Sequence, residues 1–173
     1  FGASNQLVVM VPKGDYDSEK KVLGKIEKLD YVNSALGLAN VAINDDYMLT
    51  DKLNTRQFAE LTDLDVEVVQ ILYTAYAYNE EQYGPVFTGI DDYEVPIIGM
   101  FLFLYYQYQE GYVTLDSDLD DQLTSLYDTL HDAQLQLQGD DYSRFVLDLS
   151  LPAEGQETYD AMYAAYSKIF SRM

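Results

Sequence analysis

The chain lacks cysteine and tryptophan, and it carries no positive charge from Gln57 to Ser143. Without cysteine there is no disulfide framework, no thiolate metal site and no cysteine nucleophile. Eighteen acidic residues lie between Arg56 and Arg144, where neither Lys nor Arg occurs, and the formal net charge of the whole chain is −20. Phosphate contacts need clustered Lys and Arg, so we predict no nucleic-acid partner.

The signatures of common enzymes are also missing. The chain has no GxGxxG or GxxxxGK[ST] loop for a nucleotide and no GxSxG elbow for a hydrolase. His131, the one histidine, lies among carboxylates on a predicted helix, which is typical of a surface histidine. The acids from Asp116 to Asp121 start like a calcium loop, but Asp121 and Tyr127 replace the Gly and Glu that such a loop requires. We therefore predict no enzyme, no catalytic residue, no cofactor and no metal site.

What the chain does have is enough apolar surface to fold. Of its 173 residues, 48% are hydrophobic and 14% aromatic, which is sufficient for one ordinary domain or for a small domain with a large insertion. The seventeen tyrosines are expected at the boundary between core and water. The simplest reading of the acidic middle is that it keeps the protein in solution.

The two ends of the chain carry strand and helix patterns. We predict a buried strand from Gln6 to Val11 and an amphipathic helix whose N-cap is Asp15 or Asp17. Part of the stretch from Tyr31 to Ile43 is predicted to form a second strand. Near the other end, apolar and polar residues alternate from Arg144 to Leu151, as in a half-buried strand. The helix that follows carries one face made of Tyr159, Met162, Tyr163, Tyr166, Ile169 and Phe170.

The middle of the chain changes to helical periodicity. Asn54 and Gln57 have the spacing of a capping box, and helices are predicted over 65–84 and 91–111. A further helix has a packing seam of leucines closed by Gly139, namely Leu119, Leu123, Leu126, Leu130 and Leu137. The predicted fold class is therefore α+β. An incomplete ferredoxin-like β-α-β and β-α frame (1–45 and 142–173), whose fourth strand is missing, surrounds an acidic helical insertion (46–141).

The most hydrophobic stretch is VPIIGMFLFLYYQY, at 95–108. A helix that spans a bilayer needs about twenty apolar residues, so this run is too short to cross one. Two interpretations remain open. The run packs as a buried helix of the insertion, or it exposes an apolar patch to lipid, substrate or a partner subunit. The candidate contact residues are Phe101, Phe103, Tyr105, Tyr106 and Tyr108.

Four segments together resemble one family. The stretches at 1–15, 19–38, 49–77 and 139–169 are similar, in order, to an extracytoplasmic loop of MMPL-type transporters of the resistance–nodulation–division superfamily, of the Gram-positive kind. In the last of these the resemblance lies in a Tyr-Ser-Arg start and a Pro-acid turn. The opening is closer to the second such loop than to the first. No catalytic signature is part of the match.

The resemblance implies a porter-like domain on the extracellular side of the cell membrane, excised from a multi-pass, proton-driven exporter of lipids, drugs or other amphiphiles. The implied partners are an amphiphilic or lipid-like substrate, other domains or subunits of the same transporter, and the membrane through the parent protein. The proton-relay residues of such exporters lie in membrane-spanning helices, so no functional residue carries over. The alternative is a stand-alone surface-exposed binding or adhesion module. In an incomplete ferredoxin-like sheet the first strand, Leu7 to Val11, is an open edge, so we also expect a dimer through that edge or its coverage by another segment.

Overall fold

The computed structural model describes residues 5–114, 117–152 and 155–170. It contains helices and two small antiparallel sheets, which confirms the α+β class. The chain divides into two compact units. The frame unit comprises Phe1–Ala42 and Ala133–Met173, and the helical unit comprises Ile43–Asp132. The sequence predicts nearby boundaries, with the frame at 1–45 and 142–173 and the insertion at 46–141.

The predicted strands and helices occur in the predicted order, and the structure adds two short strands and one short helix. The strands are β1 (Asn5–Pro12), β2 (Val32–Leu36), β3 (Lys52–Leu53), β4 (Val95–Pro96) and β5 (Tyr142–Leu149). The helices are α1 (Tyr16–Ile26), α2 (Thr55–Thr62), α3 (Val66–Asn79), α4 (Gly84–Thr88), α5 (Ile97–Gln109), α6 (Ser117–Leu137) and α7 (Gln156–Phe170).

The sheet of the frame unit has the order β1-β5-β2, and both pairings are antiparallel. Apolar and polar residues alternate along β5, which predicts a half-buried strand. The structure confirms this, because Phe145, Leu147 and Leu149 are all buried. They pack with Leu23 and Ile26 of α1 in one hydrophobic cluster. Within the described residues, β1 and β2 are therefore the two edges of this sheet.

Helix α1 begins where the sequence predicts. The side chain of Asp15 accepts a hydrogen bond from the backbone N–H of Ser18 over 2.9 Å, as an N-cap does. A second hydrogen bond reaches this carboxylate from the hydroxyl of Ser18. These bonds stabilise the charged form and lower the pKa of Asp15 below its ordinary value.

Helix α7 exposes much of its aromatic face. The side chains that α7 buries are small, namely Thr158, Ala161 and Ala165, and Met162 is half-buried against the cluster of the frame unit. The tyrosines of the predicted apolar face, Tyr159, Tyr163 and Tyr166, are exposed. Ile169 and Phe170 lie outside the side chains that the structure describes. The aromatic pattern of α7 therefore marks a surface of the frame unit.

The helical unit has its own hydrophobic core. Phe58 of α2, Tyr73 of α3 and Met100 of α5 are completely buried in it, and the two-residue ladder of β3 with β4 lies beside them. The predicted capping box at the start of α2 is confirmed. Asn54 accepts from the N–H of Gln57, and Gln57 accepts from the N–H of Asn54, each over 3.0 Å.

Two predicted helices were wrong in their extent. The helix predicted over 65–84 ends at Asn79, and Gly84–Thr88 forms the separate short helix α4. The helix predicted over 91–111 begins only at Ile97, because Pro96 belongs to β4 and the preceding acids lie in a 3₁₀ turn, Ile90–Asp92. The acids and the proline thus precede the helix instead of forming its first turn.

Helix α5 carries most of the apolar run, and it has 13 residues. In the parts of the chain that the structure describes, none of the helices combines the length and the apolar character needed to cross a bilayer.

Candidate contact surfaces

The five candidate residues on α5 differ in exposure. Phe103 lies in the core of the helical unit with 7% of its surface exposed, and Phe101, Tyr105 and Tyr108 are half-buried against the same core. Tyr106 is the exposed member, at 53%. Most of the hydrophobic run on α5 therefore packs the helical unit, and the surface that α5 offers is centred on Tyr106.

Three aromatic rings form a ladder between α5 and α6. Tyr105 of α5 stacks on Tyr127 of α6, with ring centroids 3.6 Å apart and ring planes 8° from parallel. Tyr127 in turn stacks on His131, with centroids 5.2 Å apart and an angle of 11°. We call Tyr105, Tyr127 and His131 the aromatic ladder. His131 is thus held by a ring contact in the helical unit.

The pKa values of Tyr127, a member of the ladder, and of Tyr108 on α5 are both raised. A hydrogen bond to Tyr106 and, second, desolvation raise the pKa of Tyr127 above its ordinary value. A hydrogen bond to the carboxylate of Asp120 likewise raises the pKa of Tyr108. In each case the neutral hydroxyl donates a proton to an oxygen, and ionisation would remove the donor. Both bonds join a tyrosine of α5 to a residue of α6.

We expect Tyr106→Phe to lower the pKa of Tyr127 toward its ordinary value. The substitution removes the oxygen that accepts from Tyr127 and leaves the rings in place, so the neutral form of Tyr127 loses its main stabilisation. A pH titration of tyrosine ring signals by NMR measures the change. Tyr159→Phe, an exposed tyrosine of the frame unit, is the control and leaves Tyr127 unaffected. An unchanged pKa in Tyr106→Phe contradicts this assignment.

A second surface of the helical unit is more exposed than α5. On the outer side of α3, Val68, Ile71 and Tyr78 are exposed, with Ile71 at 70%. Tyr83 and Phe87 of the α4 region are exposed too, Phe87 at 83%, and the rings of Tyr83 and Tyr78 make an edge contact with centroids 5.6 Å apart. We call these five residues the α3–α4 surface. A shallow depression lies along its α3 side, lined by Glu67, Gln70, Ile71, Thr74, Ala75 and Tyr78.

The α3–α4 surface was missed because α3 is apolar on both sides. Val69, Leu72 and Tyr73 face the core. Val68 and Ile71, which directly precede Val69 and Leu72 in the sequence, are exposed. Both sets have helical spacing, so periodicity alone does not separate the buried stripe from the exposed one. The sequence does indicate this surface, because the residues at 68, 71, 75 and 78 are also apolar. Their 3–4–3 spacing is typical of a second packing stripe on the helix.

The unit that carries these surfaces has a strongly negative net charge. The helical unit contains two basic and nineteen acidic residues, whereas the frame unit contains eight and eleven. An apolar ligand or partner that reaches the helical unit therefore meets a strongly negative surrounding. Among the described residues, no three His, Cys, Asp or Glu side chains lie close enough together to hold a metal ion. Asp116 and the side chain of Asp118, the first two acids of the calcium-like stretch, lie outside them.

The geometry of the helical unit thus offers aromatic and aliphatic contact area within a negative field. Comparison of the chain with protein-family models, with curated proteins and with solved structures finds no match.

Proposed function

We propose that this chain is an extracellular, porter-like domain of an MMPL-type exporter of the resistance–nodulation–division superfamily, without catalytic activity of its own. In this role it contributes to the passage of an amphiphilic substrate or to contacts with other subunits. The exporter part of the proposal rests on the four segments that resemble the transporter loop. The observation that carries the contact role is the α3–α4 surface, because large exposed apolar patches on soluble proteins mark sites where something binds.

The strand order of the frame unit supports the finer fold assignment. A ferredoxin-like sheet has four strands, and its third strand lies between the first and the second, antiparallel to both. Strand β5 occupies that central position between β1 and β2, with the same directions. We therefore propose an incomplete ferredoxin-like frame, in which the side of β1 away from β5 has no strand among the described residues.

The charge of the helical unit narrows the class of substrate. Apolar side chains such as Ile71 and Phe87 bind the hydrocarbon part of an amphiphile by burial. The surrounding acids repel an anionic head group and attract a cationic one. We propose that the surface takes neutral or cationic amphiphiles and disfavours anionic ones.

Titration with three dodecyl amphiphiles below their critical micelle concentrations tests this proposal. The probes are a maltoside, a trimethylammonium salt and a sulfate, which share one chain and differ in head-group charge. We expect the methyl signals of Val68 and Ile71 and the ring signals of Phe87 to shift with the maltoside and the ammonium probe, and much less with the sulfate. NMR of the chain measures these shifts residue by residue.

The matched variants are Ile71→Ser with Phe87→Ser and, in the frame unit, Leu36→Ser. Removing two exposed apolar side chains from the binding surface weakens affinity by at least about tenfold, since burying one such side chain is worth about 1.5–3 kcal/mol. Leu36 is also exposed and apolar, but it lies on β2, so its replacement leaves the affinity unchanged. If none of the probes shifts signals of the α3–α4 surface, the substrate role is wrong and the subunit contact remains.

The reading frame around the chain tests the exporter itself. Apolar spans of about twenty residues on both sides of the encoded segment support a multi-pass membrane protein. A stop codon, sequence repeats or a lone anchor there contradicts it and favours a surface-exposed binding module.

A further inference from the structure

Among the described residues, strand β1 pairs with β5 on one side and with no strand on the other. In its antiparallel register with β5, Lys13 lies opposite Asp141, and the N–H of Lys13 donates to the carbonyl of Asp141 over 3.0 Å. Backbone groups alternate in direction along a strand, so the same parity places the N–H and C=O groups of Leu7, Val9 and Val11 toward β5. Those of Gln6, Val8 and Met10 point the other way, where the described residues provide no strand.

From Asn5 to Val11 this edge lacks the charges and bulges that normally protect one, and its single proline, Pro12, stands at the end of the strand. The strand NQLVVMVP contains no charged residue, and it is eight residues long. Natural edge strands are usually short, bulged, charged or covered. The opposite edge of the same sheet, β2, follows that rule, because it has five residues, an irregularity between Val32 and Ser34, and the exposed polar residues Asn33 and Ser34.

The side chains along β1 are also incompletely covered. Val8 and Met10 are exposed on the outer face, Val8 at 52%, and Leu7 and Val9 on the inner face are only half-buried. A groove of about 470 Å³ runs along this edge within the frame unit, lined by Leu7, Val8, Val9, Met10, Met162, Tyr163 and Tyr166. One further strand beside β1 would lay its inward side chains against this groove.

We infer that two copies of this chain pair through β1, antiparallel and centred on Val8. In this register Val8 lies opposite Val8 of the second copy, and Gln6 lies opposite Met10. Every outward N–H of Gln6, Val8 and Met10 then meets an outward carbonyl of the other copy, and Pro12, which has no N–H, lies beyond the paired segment. The two sheets become one continuous sheet with two-fold symmetry.

The side chains fit this register on both faces. On the outer face two valines meet at the centre. On the inner face Leu7 of each copy lies opposite Val9 of the other, so the apolar groove is closed by apolar residues. Apolar cross-strand pairs of this kind stabilise a sheet.

Strand β1 carries no charge that would oppose pairing with a second copy. Two copies of a chain with a net charge of −20 repel each other, but the charge is concentrated in the helical unit. The frame unit contains eight basic and eleven acidic residues, and β1 itself contains neither. Pairing through β1 therefore places no like charges directly opposite each other across the new strand pair. This inference does not depend on the export function.

A single cysteine tests the register. The chain has no cysteine, so Val8→Cys introduces the only thiol. In the Val8-centred pair the two Cα atoms are about 5.5 Å apart, within the range of about 4.4–6.8 Å that a disulfide spans. We expect Val8→Cys to form a disulfide-linked dimer under mild oxidation in dilute solution. Met10→Cys alone does not link to itself, but it links to Gln6→Cys when the two variants are mixed.

Leu36→Cys is the matched control, since it places an exposed thiol on β2, the other edge of the same sheet. It stays monomeric under the same conditions. Cross-linking through Leu36→Cys that is as efficient as through Val8→Cys overturns the inference, and so does a failure of Val8→Cys to cross-link.

Sedimentation equilibrium of the unmodified chain measures the association without any cross-link. We expect a reversible monomer–dimer equilibrium whose dissociation constant rises by at least about tenfold in Val8→Lys, which places two lysines opposite each other. Leu36→Lys leaves it unchanged. Circular dichroism of both variants checks that the sheet persists. If Val8→Lys does not fold, cross-linking of the near-isosteric Val8→Cys tests the pairing instead. A chain that is monomeric at all concentrations, or a dimer insensitive to Val8→Lys, overturns the inference.

Discussion

Phe58→Ala is expected to reduce the free energy of unfolding of the helical unit by about 3–5 kcal/mol. Phe58 is completely buried in α2, and its ring contacts Tyr73 and Phe101 at centroid distances of 5.8 and 5.3 Å. Truncation removes these contacts and leaves a cavity that a close-packed core closes only in part. Since folded domains are stable by about 5–15 kcal/mol, this one change removes a large fraction of the total.

The matched control is Phe87→Ala, which deletes the same side chain in the same unit. Phe87 is exposed on α4, so its removal changes the unfolding free energy by no more than about 0.5 kcal/mol. Urea unfolding followed by circular dichroism gives both values, and ring NMR signals of residues 43–132 show which unit unfolds. Equal losses in the two variants contradict the assignment of Phe58 to the core and of Phe87 to a contact surface.

Most of the secondary structure was predictable, because its signals are local. The alternation in β5, the N-cap at Asp15 and the reciprocal pair Asn54 and Gln57 each involve residues within a few positions of one another. Backbone groups at a helix start need partners wherever the helix lies in the fold, so the side chains that supply them can be read from the sequence.

The short ladder of β3 with β4 was not predictable in the same way. Leu53 lies opposite Val95, 42 positions away along the chain, and the ladder is only two residues long. So short a strand has no periodicity of its own, and Pro96 reads more readily as the first turn of a helix. The start of α5 was misplaced for this reason.

The surfaces were the hardest feature to predict. Helices α3 and α5 are apolar on nearly all sides, and α7 buries alanines while it exposes tyrosines. Hydrophobicity therefore does not reveal the inward face, because that depends on which side chains find space against distant elements. The predicted contact residues on α5 thus include the buried Phe103, whereas Ile71 and Phe87 were not singled out.

The open edge of β1 was predicted from the order of strands in the sheet and not from a local sequence pattern. The order of strands in a small antiparallel sheet follows from a few topological rules once the elements are known. The prediction required only that β5 lie between β1 and β2, which the structure shows. What the sequence did not reveal is the groove beside that edge, because it depends on where α7 places Tyr163 and Tyr166.

Glu19→Ala is expected to destabilise the frame unit by about 2–3 kcal/mol. Glu19 lies on α1 with 4% of its surface exposed, and its Oε1 accepts hydrogen bonds from the N–H of Gly14 and from the hydroxyl of Ser143 at the start of β5. Alanine leaves both donors without their acceptor, and Ser143 is itself buried, so its hydroxyl has no access to bulk water. Thermal or urea unfolding of the variant measures the loss.

Glu19→Gln separates the hydrogen bonds from the charge. The amide oxygen of glutamine keeps an acceptor for Gly14 and Ser143, while the buried negative charge disappears. Within the described residues, Oε2 of Glu19 has no hydrogen-bond partner, so the carboxylate bears a desolvation cost that its two accepted bonds only partly offset. We therefore expect Glu19→Gln to cost less than about 1 kcal/mol, well below the loss in Glu19→Ala.

Two further variants complete the test. Ser143→Ala removes the buried donor and is expected to cost about 1–3 kcal/mol, since the carboxylate then loses one of its two bonds. Glu157→Ala removes an exposed carboxylate from the first turn of α7 and changes stability by no more than about 0.5 kcal/mol. If Glu19→Gln is as destabilising as Glu19→Ala, the negative charge, and not the pair of accepted hydrogen bonds, is what ties α1 to the start of β5.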